Sequence, residues 1–263
     1  MLGRIFETKH SEVVAAKAST PIEELKDQIV AAPKPRGFLH ALKCASDVAL
    51  IAEVKMASPS QGLIRPDFDA ANIAGTYEDA GASALSVLTD RKYFQGSPDH
   101  LKSARRACGL PVLRKDFIDD PYQVYESRAW GADALLLIVA ALEQSQLLDL
   151  HALALELGMD VLVEVHTLAE AHRALEANVP LVGVNNRDLS NFITDLTFSE
   201  ALLPVLCRHA FTVSESGLAS REDINRVVAV GARGVLIGTT FCAATDIGAK
   251  IREVMRWHTP EGF

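Results

Sequence analysis

The stretch GADALLLIVA (131–140) sets the reading of the whole chain. A glycine follows a helix-like stretch and leads straight into a short apolar run, which reads as a helix stop before a buried strand. The same arrangement recurs in GASALSVLTD from Gly81, GMDVLVEV from Gly158 and GARGVLIGT from Gly231. Four more apolar runs lack that punctuation: ALIAEVK (49–55), PVLRKDF (111–117), PLVGVNNR (180–187) and AFTVSES (210–216). Together they make eight.

Segments of helical period lie between the runs, among them PYQVYESRAWGA, EQSQLLDLHALALELG, LAEAHRALEAN and REDINRVVAVGA. Strands alternating with helices require a parallel sheet with right-handed crossovers. Eight such units predict an α/β chain folded as a (β/α)8 TIM barrel, whose usual size is ~250 residues. A doubly wound open sheet fits less well, because no G-x-G-x-x-G follows the first strand. Residues 1–48 exceed what a bare barrel needs and read as an N-terminal helical extension packed on or across it. No linker or low-complexity tract divides the chain, so residues 1–263 read as a single barrel domain. Within the extension, TPIEELKDQIV predicts a helix with Thr20 as N-cap, Pro21 at the first helical position and Glu23 closing a capping box.

The chain is 49% hydrophobic and 23% charged with a net charge of −8, which fits a soluble globular protein. That charge weighs against nucleic acid as a partner, whereas a small anion can still bind where cations gather in one cleft. Cys44, Cys108, Cys207 and Cys242 lie far apart without a C-x-x-C pair, as expected of reduced, buried thiols in a cytoplasmic protein. The N-terminal MLGRIFETKHSEVV has no apolar core of signal-peptide length. No run reaches the roughly 18 apolar residues that would predict a membrane span.

Active sites of barrels lie at the C-terminal ends of the strands. Those ends carry Glu53 and Lys55, Asp90, Lys115 and Asp116, Glu164, Asn185 and Arg187, Glu215 and Ser216, and Gly238 and Thr239; only the fourth strand ends without a polar group. Alternation puts Glu53 and Lys55 on one face and Asn185 and Arg187 on one face, and turns Met56 away. A lone charge at a strand end is ordinarily solvated or capping, and Asp90 and Asp116 read that way. Lys55, Lys115, Glu53, Glu164 and Glu215 instead converge on one rim from four strands, where burial without partners is costly. A purely structural ion network is the competing reading. SESG (214–217) and LIGTTF (236–241) place small residues after strands seven and eight, the usual phosphate position of this fold.

No metal site is expected: His151, His166, His172, His209 and His258 show no ligand spacing, and His166 reads as a rim or loop residue. Trp130 and Trp257 read as packing residues.

The segments IAEVKMASPSQGLIRPDF (51–68), LSVLTDRKYFQGS (85–97), LRKDFIDDPYQVYESRAWGADALLLI (113–138), VEVH (163–166), GVNNRDL (183–189) and VSESG (213–217) resemble the indole-3-glycerol phosphate synthase family nearly end to end. The resemblance implies a (β/α)8 barrel with an N-terminal extension and no cofactor. It implies ring closure of 1-(2-carboxyphenylamino)-1-deoxyribulose 5-phosphate with release of carbon dioxide and water. It also implies Lys115 as acid for ring closure and Lys55 as substrate ligand and acid for dehydration. Glu164 and Glu53 become bases or electrostatic stabilisers, supported by Glu215. Asn185 and Ser216 match polar catalytic positions, Arg187 an anion anchor, and Ser58, Gly217, Gly238 and Thr239 the phosphate side. A functional link to other enzymes of tryptophan biosynthesis is expected.

Two positions depart from the family pattern: Met56 stands where a second basic residue is common, and Thr239 where serine is common. A Schiff-base aldolase using Lys115 is the rival chemistry. Phosphoribosylanthranilate isomerase is a further rival, whose cysteine–aspartate pair has no clear match. A non-catalytic sugar-phosphate binder leaves the three cations and three carboxylates on one rim without a purpose.

Overall fold

The computed structural model describes residues 2–188 and 193–255. Eight parallel strands close into a barrel in chain order: β1 (Ala49–Val54), β2 (Ala84–Leu88), β3 (Val112–Lys115), β4 (Ala134–Ile138), β5 (Asp160–Val165), β6 (Leu181–Asn185), β7 (Phe211–Glu215) and β8 (Gly234–Ile237). Closure is visible at Ala52, which stands opposite Leu85 of β2 on one side and Ile237 of β8 on the other. All eight predicted runs are strands of this barrel.

The four glycines end their helices as the sequence predicts. Gly81, Gly131, Gly158 and Gly231 have φ of 89°, 89°, 79° and 113°, a backbone region in which side chains are strained. Each is followed by a backbone bond spanning the last turn, as from the Ala132 N–H to the Ser127 carbonyl at 2.9 Å. The run before β6 was read as unpunctuated, yet Asn178 takes the same role with φ 52°. Its short amide side chain tolerates that conformation better than most.

Alternation builds two cores. Ala49, Ile51, Leu113, Leu136, Leu162 and Val213 are among the residues pointing inward, where Phe38 and Leu42 join them from the helix Phe38–Lys43. The intervening residues, such as Leu50, Leu85, Leu135 and Val182, pack outward under the helices. The Leu39 N–H donates to Asp160 at the start of β5, so this short helix plugs the N-terminal end.

Two further helices precede it, Leu2–Ser19 and Ile22–Ala31. The expected cap at Thr20 does not form: Pro21 is extended with ψ 151° and is itself the N-cap, without a side-chain bond. Glu23 pairs instead with Lys26 at 2.9 Å, and the Thr20 carbonyl accepts the Tyr122 hydroxyl at 2.8 Å. The expectation of four buried thiols also needs correction, since Cys108 and Cys242 are buried but Cys44 is exposed. Trp130 stacks over the Arg114 guanidinium at 4.1 Å, and Trp257 and His258 lie outside the described residues. No described helix is long and apolar enough to cross a membrane.

Candidate active site

At the C-terminal mouth of the barrel lies a cavity of about 570 Å³. It is lined by Glu53, Lys55, Lys115, Glu164, Asn185, Arg187, Glu215, Ser216, Gly217, Gly238 and Thr239, so these sequence-derived candidates share one space. Ser58 does not line it. Its hydroxyl faces Ser60 at 3.4 Å within the small hairpin of Ala57–Ser58 and Gly62–Leu63, while Pro59 and Gln61 reach the cavity. Met56 also stays off the wall, as alternation predicts.

The charges form two pairs. Lys55 Nζ lies 2.6 Å from Glu53 Oε1, an ion pair inside the mouth. Lys115 Nζ lies 2.9 Å from Glu164 Oε2 and 3.6 Å from Glu215 Oε2. Burial pulls the Lys115 ammonium down, but Glu164, Glu215 and Glu53 together reverse this and hold it above its usual value. Burial likewise opposes charge on Glu164, yet Lys115 and His166 overcome it and keep this carboxyl well below its usual range. Glu215 receives less compensation, so burial and the neighbouring Glu164 and Glu53 push it up to about 8. One ammonium facing two carboxylates thus favours charge on Glu164 and a proton on Glu215.

Two glycines make room for these acids. A Cβ at Gly238 would run into Oε1 of Glu53, and one at Gly183 would run into Oε1 of Glu215. Beyond β7 the chain turns through two left-handed residues, Ser216 (φ 66°) and Gly217 (φ 78°). The buried Asn186 pins that turn, donating to the carbonyls of Glu215 and Ser216, both at 3.0 Å. After β8, Gly238 opens the short helix Thr239–Cys242. Across the barrel, the arc from β2 to β4 adds the apolar Leu88, Phe94, Phe117, Leu136 and Ile138 around Lys115 and Asp116. Apolar and small polar side chains therefore line the same cavity as the charged groups.

Three contributors escaped the sequence reading. Lys9, on the helix Leu2–Ser19, is 4% exposed and sits 3.0 Å from Asp90 and 2.9 Å from Asp116, pinning that helix over the mouth. Asp90 also caps the turn Arg91–Phe94 through the Tyr93 N–H at 2.7 Å, as its capping reading expects. The signal for Lys9 was present, since it occupies the apolar face shared by Ile5, Phe6 and Val13. The second is Ile5 itself, which with Leu2 closes the cavity wall. The third is His166, whose Nε2 lies 3.3 Å from Glu164 Oε1, well inside the rim role assigned to it. Among the described residues no three His, Cys, Asp or Glu side chains are grouped to hold a metal ion.

A family model described as indole-3-glycerol phosphate synthase matches residues 2–254. The chain belongs to that family. Proteins called indole-3-glycerol phosphate synthase from two strains of Neisseria gonorrhoeae are each 50% identical to it over 254 residues, covering 95% of this chain and 97% of theirs. Among solved structures, a mutant tryptophan synthase alpha-subunit from Pyrococcus furiosus superimposes with a TM-score of 0.62 at 15% identity, over 80% of this chain and 99% of that one. A thiamine phosphate pyrophosphorylase from the same organism gives 0.60 at 14% identity, over 80% and 94%. At such identities these two show the fold alone.

Proposed function

We propose that the cavity closes the indole ring of 1-(2-carboxyphenylamino)-1-deoxyribulose 5-phosphate by acid–base catalysis centred on Lys115 and Glu164. The activity is that of an indole-3-glycerol phosphate synthase, a decarboxylating lyase of tryptophan biosynthesis. The observation that carries the residue assignment is the Lys115–Glu164 contact of 2.9 Å in a cavity that apolar and small polar side chains also line.

The ring carbon bearing the carboxylate attacks the ribulose C2 carbonyl, and Lys115 gives its proton to the carbonyl oxygen as the new C–C bond forms. The positive charge left on the ring and its nitrogen is stabilised by the carboxylates of Glu53 and Glu164. Loss of carbon dioxide returns the C–C electron pair to the ring. The C2 hydroxyl then leaves as water with a proton from Lys55, and Glu164 takes the proton from the former C1 to complete the indole. Glu53 orients Lys55, and Glu215, holding its proton, hydrogen-bonds an oxygen of the reacting sugar. Ser216, Gly217, Gly238 and Thr239 take the phosphate, Arg187 anchors an anion, and Asn185 orients the sugar. Ser58 acts indirectly by shaping the hairpin that carries Pro59 and Gln61.

The same proposal holds residues 1–263 to be one barrel domain with 1–48 as its extension. It also places the protein in the cytoplasm beside other enzymes of tryptophan biosynthesis. Purified protein given the substrate should yield a fluorescent indole product; absence of product, with or without added metal, would sink the assignment.

A further inference from the structure

We propose that His166 is a positioning residue for this reaction: it grips the Oε1 edge of Glu164 from behind, leaving the Oε2 edge free to work with Lys115. The inference rests on Glu164 serving as the base. Glu164 is 1% exposed, so solvent cannot orient its carboxylate. Its two oxygens have separate partners, Lys115 Nζ at 2.9 Å on Oε2 and His166 Nε2 at 3.3 Å on Oε1. The motif VEVH (163–166) sets this up, because residues two apart along a strand project to the same side.

The imidazole is fixed on its far side as well. Its Nδ1 lies 3.3 Å from Glu170 Oε2, and the same oxygen accepts the His166 backbone N–H at 2.8 Å. Glu170 is held by the N-cap of the helix Leu168–Glu176: Thr167 donates its hydroxyl to Glu170 Oε1 at 3.0 Å and accepts the Glu170 N–H at 3.2 Å. A rigid helix start therefore aims Glu170, which aims His166, which aims Glu164.

His166 does not line the reaction cavity. It lines a second one of about 440 Å³ with Thr167, Glu170, Arg187 and Asp188. That cavity adjoins the first through Asn185 and Arg187, which line both, and from its side His166 reaches Glu164. The charged groups around the pair are Glu170 beyond the ring, Lys115, Glu215 and Glu53 across Glu164, and Arg187 and Asp188 from the end of β6. Burial pulls the imidazole down, but Glu164 and Glu170 outweigh it and raise it to about 10. It is then a cation at neutral pH: Nδ1 bonds to Glu170, while Nε2 faces Glu164 Oε1 at ion-pair distance without the geometry of a hydrogen bond, so its hold on that oxygen is electrostatic.

The test is kcat and KM against pH for the full chain, His166→Phe, His166→Gln and Glu164→Gln. His166→Phe should lose kcat by roughly 10-fold, as Glu164 loses the cation that faces its Oε1 edge. KM should stay within about threefold, and Glu164, held well below its usual range in the wild type, should protonate more easily without that cation, so the acid limb of kcat should lie at higher pH. His166→Gln, which keeps a neutral donor, should recover part of kcat and decides the matter if the Phe variant does not fold. Wild-type kcat with an unmoved acid limb in His166→Gln, or a loss of kcat with no shift in that limb, would overturn the proposal. If Glu164→Gln is inactive in that case, the base role survives without His166. Near-wild-type turnover in Glu164→Gln would instead remove the base role and this inference with it.

Discussion

Lys115 Nζ stands between two carboxylates at unequal distance, 2.9 Å from Glu164 and 3.6 Å from Glu215. That asymmetry divides labour that chemistry alone leaves undivided. The nearer acid, backed by His166, stays ionised, while the farther one is pushed up to about 8. Around Lys115 burial and carboxylates act in opposite directions, and the carboxylates prevail: they keep the lysine protonated but make it a weaker acid than a free lysine.

Replacing Lys115 should therefore abolish the first chemical step. Lys115→Ala is expected to lose about 10²- to 10⁴-fold in kcat, the usual contribution of a positioned acid. Circular dichroism should still report a folded barrel. Turnover near the wild-type value would reject Lys115 as the acid.

Glu164 and Glu215 should separate cleanly when each is made an amide. Glu164→Gln removes the base and should fall by a similar 10²- to 10⁴-fold. Glu215→Gln mimics the protonated form and should keep kcat within roughly tenfold. The stability profile gives an independent reading. Glu215 rises from 4.5 to about 8 on folding, so its contribution is fully present below pH 4.5 and is lost as the pH rises through about 8. Urea midpoints of Glu215→Gln at pH 5 and pH 9 should differ less than those of the wild type. An equal or larger difference would contradict a protonated Glu215.

Lys9 is expected to matter for stability and for the closure of the mouth. Lys9→Met leaves Asp90 buried without this cation and Asp116 with Arg114 alone, at a cost of about 3–5 kcal/mol. Asp116 shows how the effect depends on pH. Burial opposes its charge, but Arg114, Lys9 and the Thr89 hydroxyl hold it down from 3.8 to about 2. Its stabilisation is present above pH 3.8 and disappears as the pH falls through about 2. Lys9→Met should unfold at a higher pH on acid titration than the wild type. An unchanged acid midpoint would show that Arg114 alone suffices.

Much of this was legible in the sequence because the informative distances were short. Glu53 and Lys55 are two residues apart on one strand, and a helix stop is a single glycine, so period and punctuation located eight strands and their ends. Asn178 was missed because its left-handed backbone does not follow from residue type. Thr20 was misread because Pro21 adopts an extended conformation and the Thr20 carbonyl serves Tyr122, a partner 102 residues away. Lys9 meets Asp90 and Asp116 only once the first helix has crossed the barrel. Whether Glu53 and Lys55 pair was likewise a matter of side-chain geometry that alternation cannot supply.

The space reserved for Glu215 is a further case, since it depends on β6 lying beside β7. Gly183 has no Cβ, and an added one would meet the Glu215 carboxylate and, at 3.3 Å, the Leu162 side chain. Gly183→Ala must therefore displace Glu215 toward Lys115 or strain the inner core, at about 1–3 kcal/mol in stability. Activity should fall along with it, because any movement of Glu215 disturbs the ammonium it shares with Glu164. Pairing the change with Glu215→Ala separates the two causes. If collision with Glu215 is the main penalty, the double variant should be more stable than the sum of the single changes predicts, with a coupling of about 1 kcal/mol or more. Strictly additive urea midpoints would mean that Leu162, not Glu215, is what Gly183 accommodates.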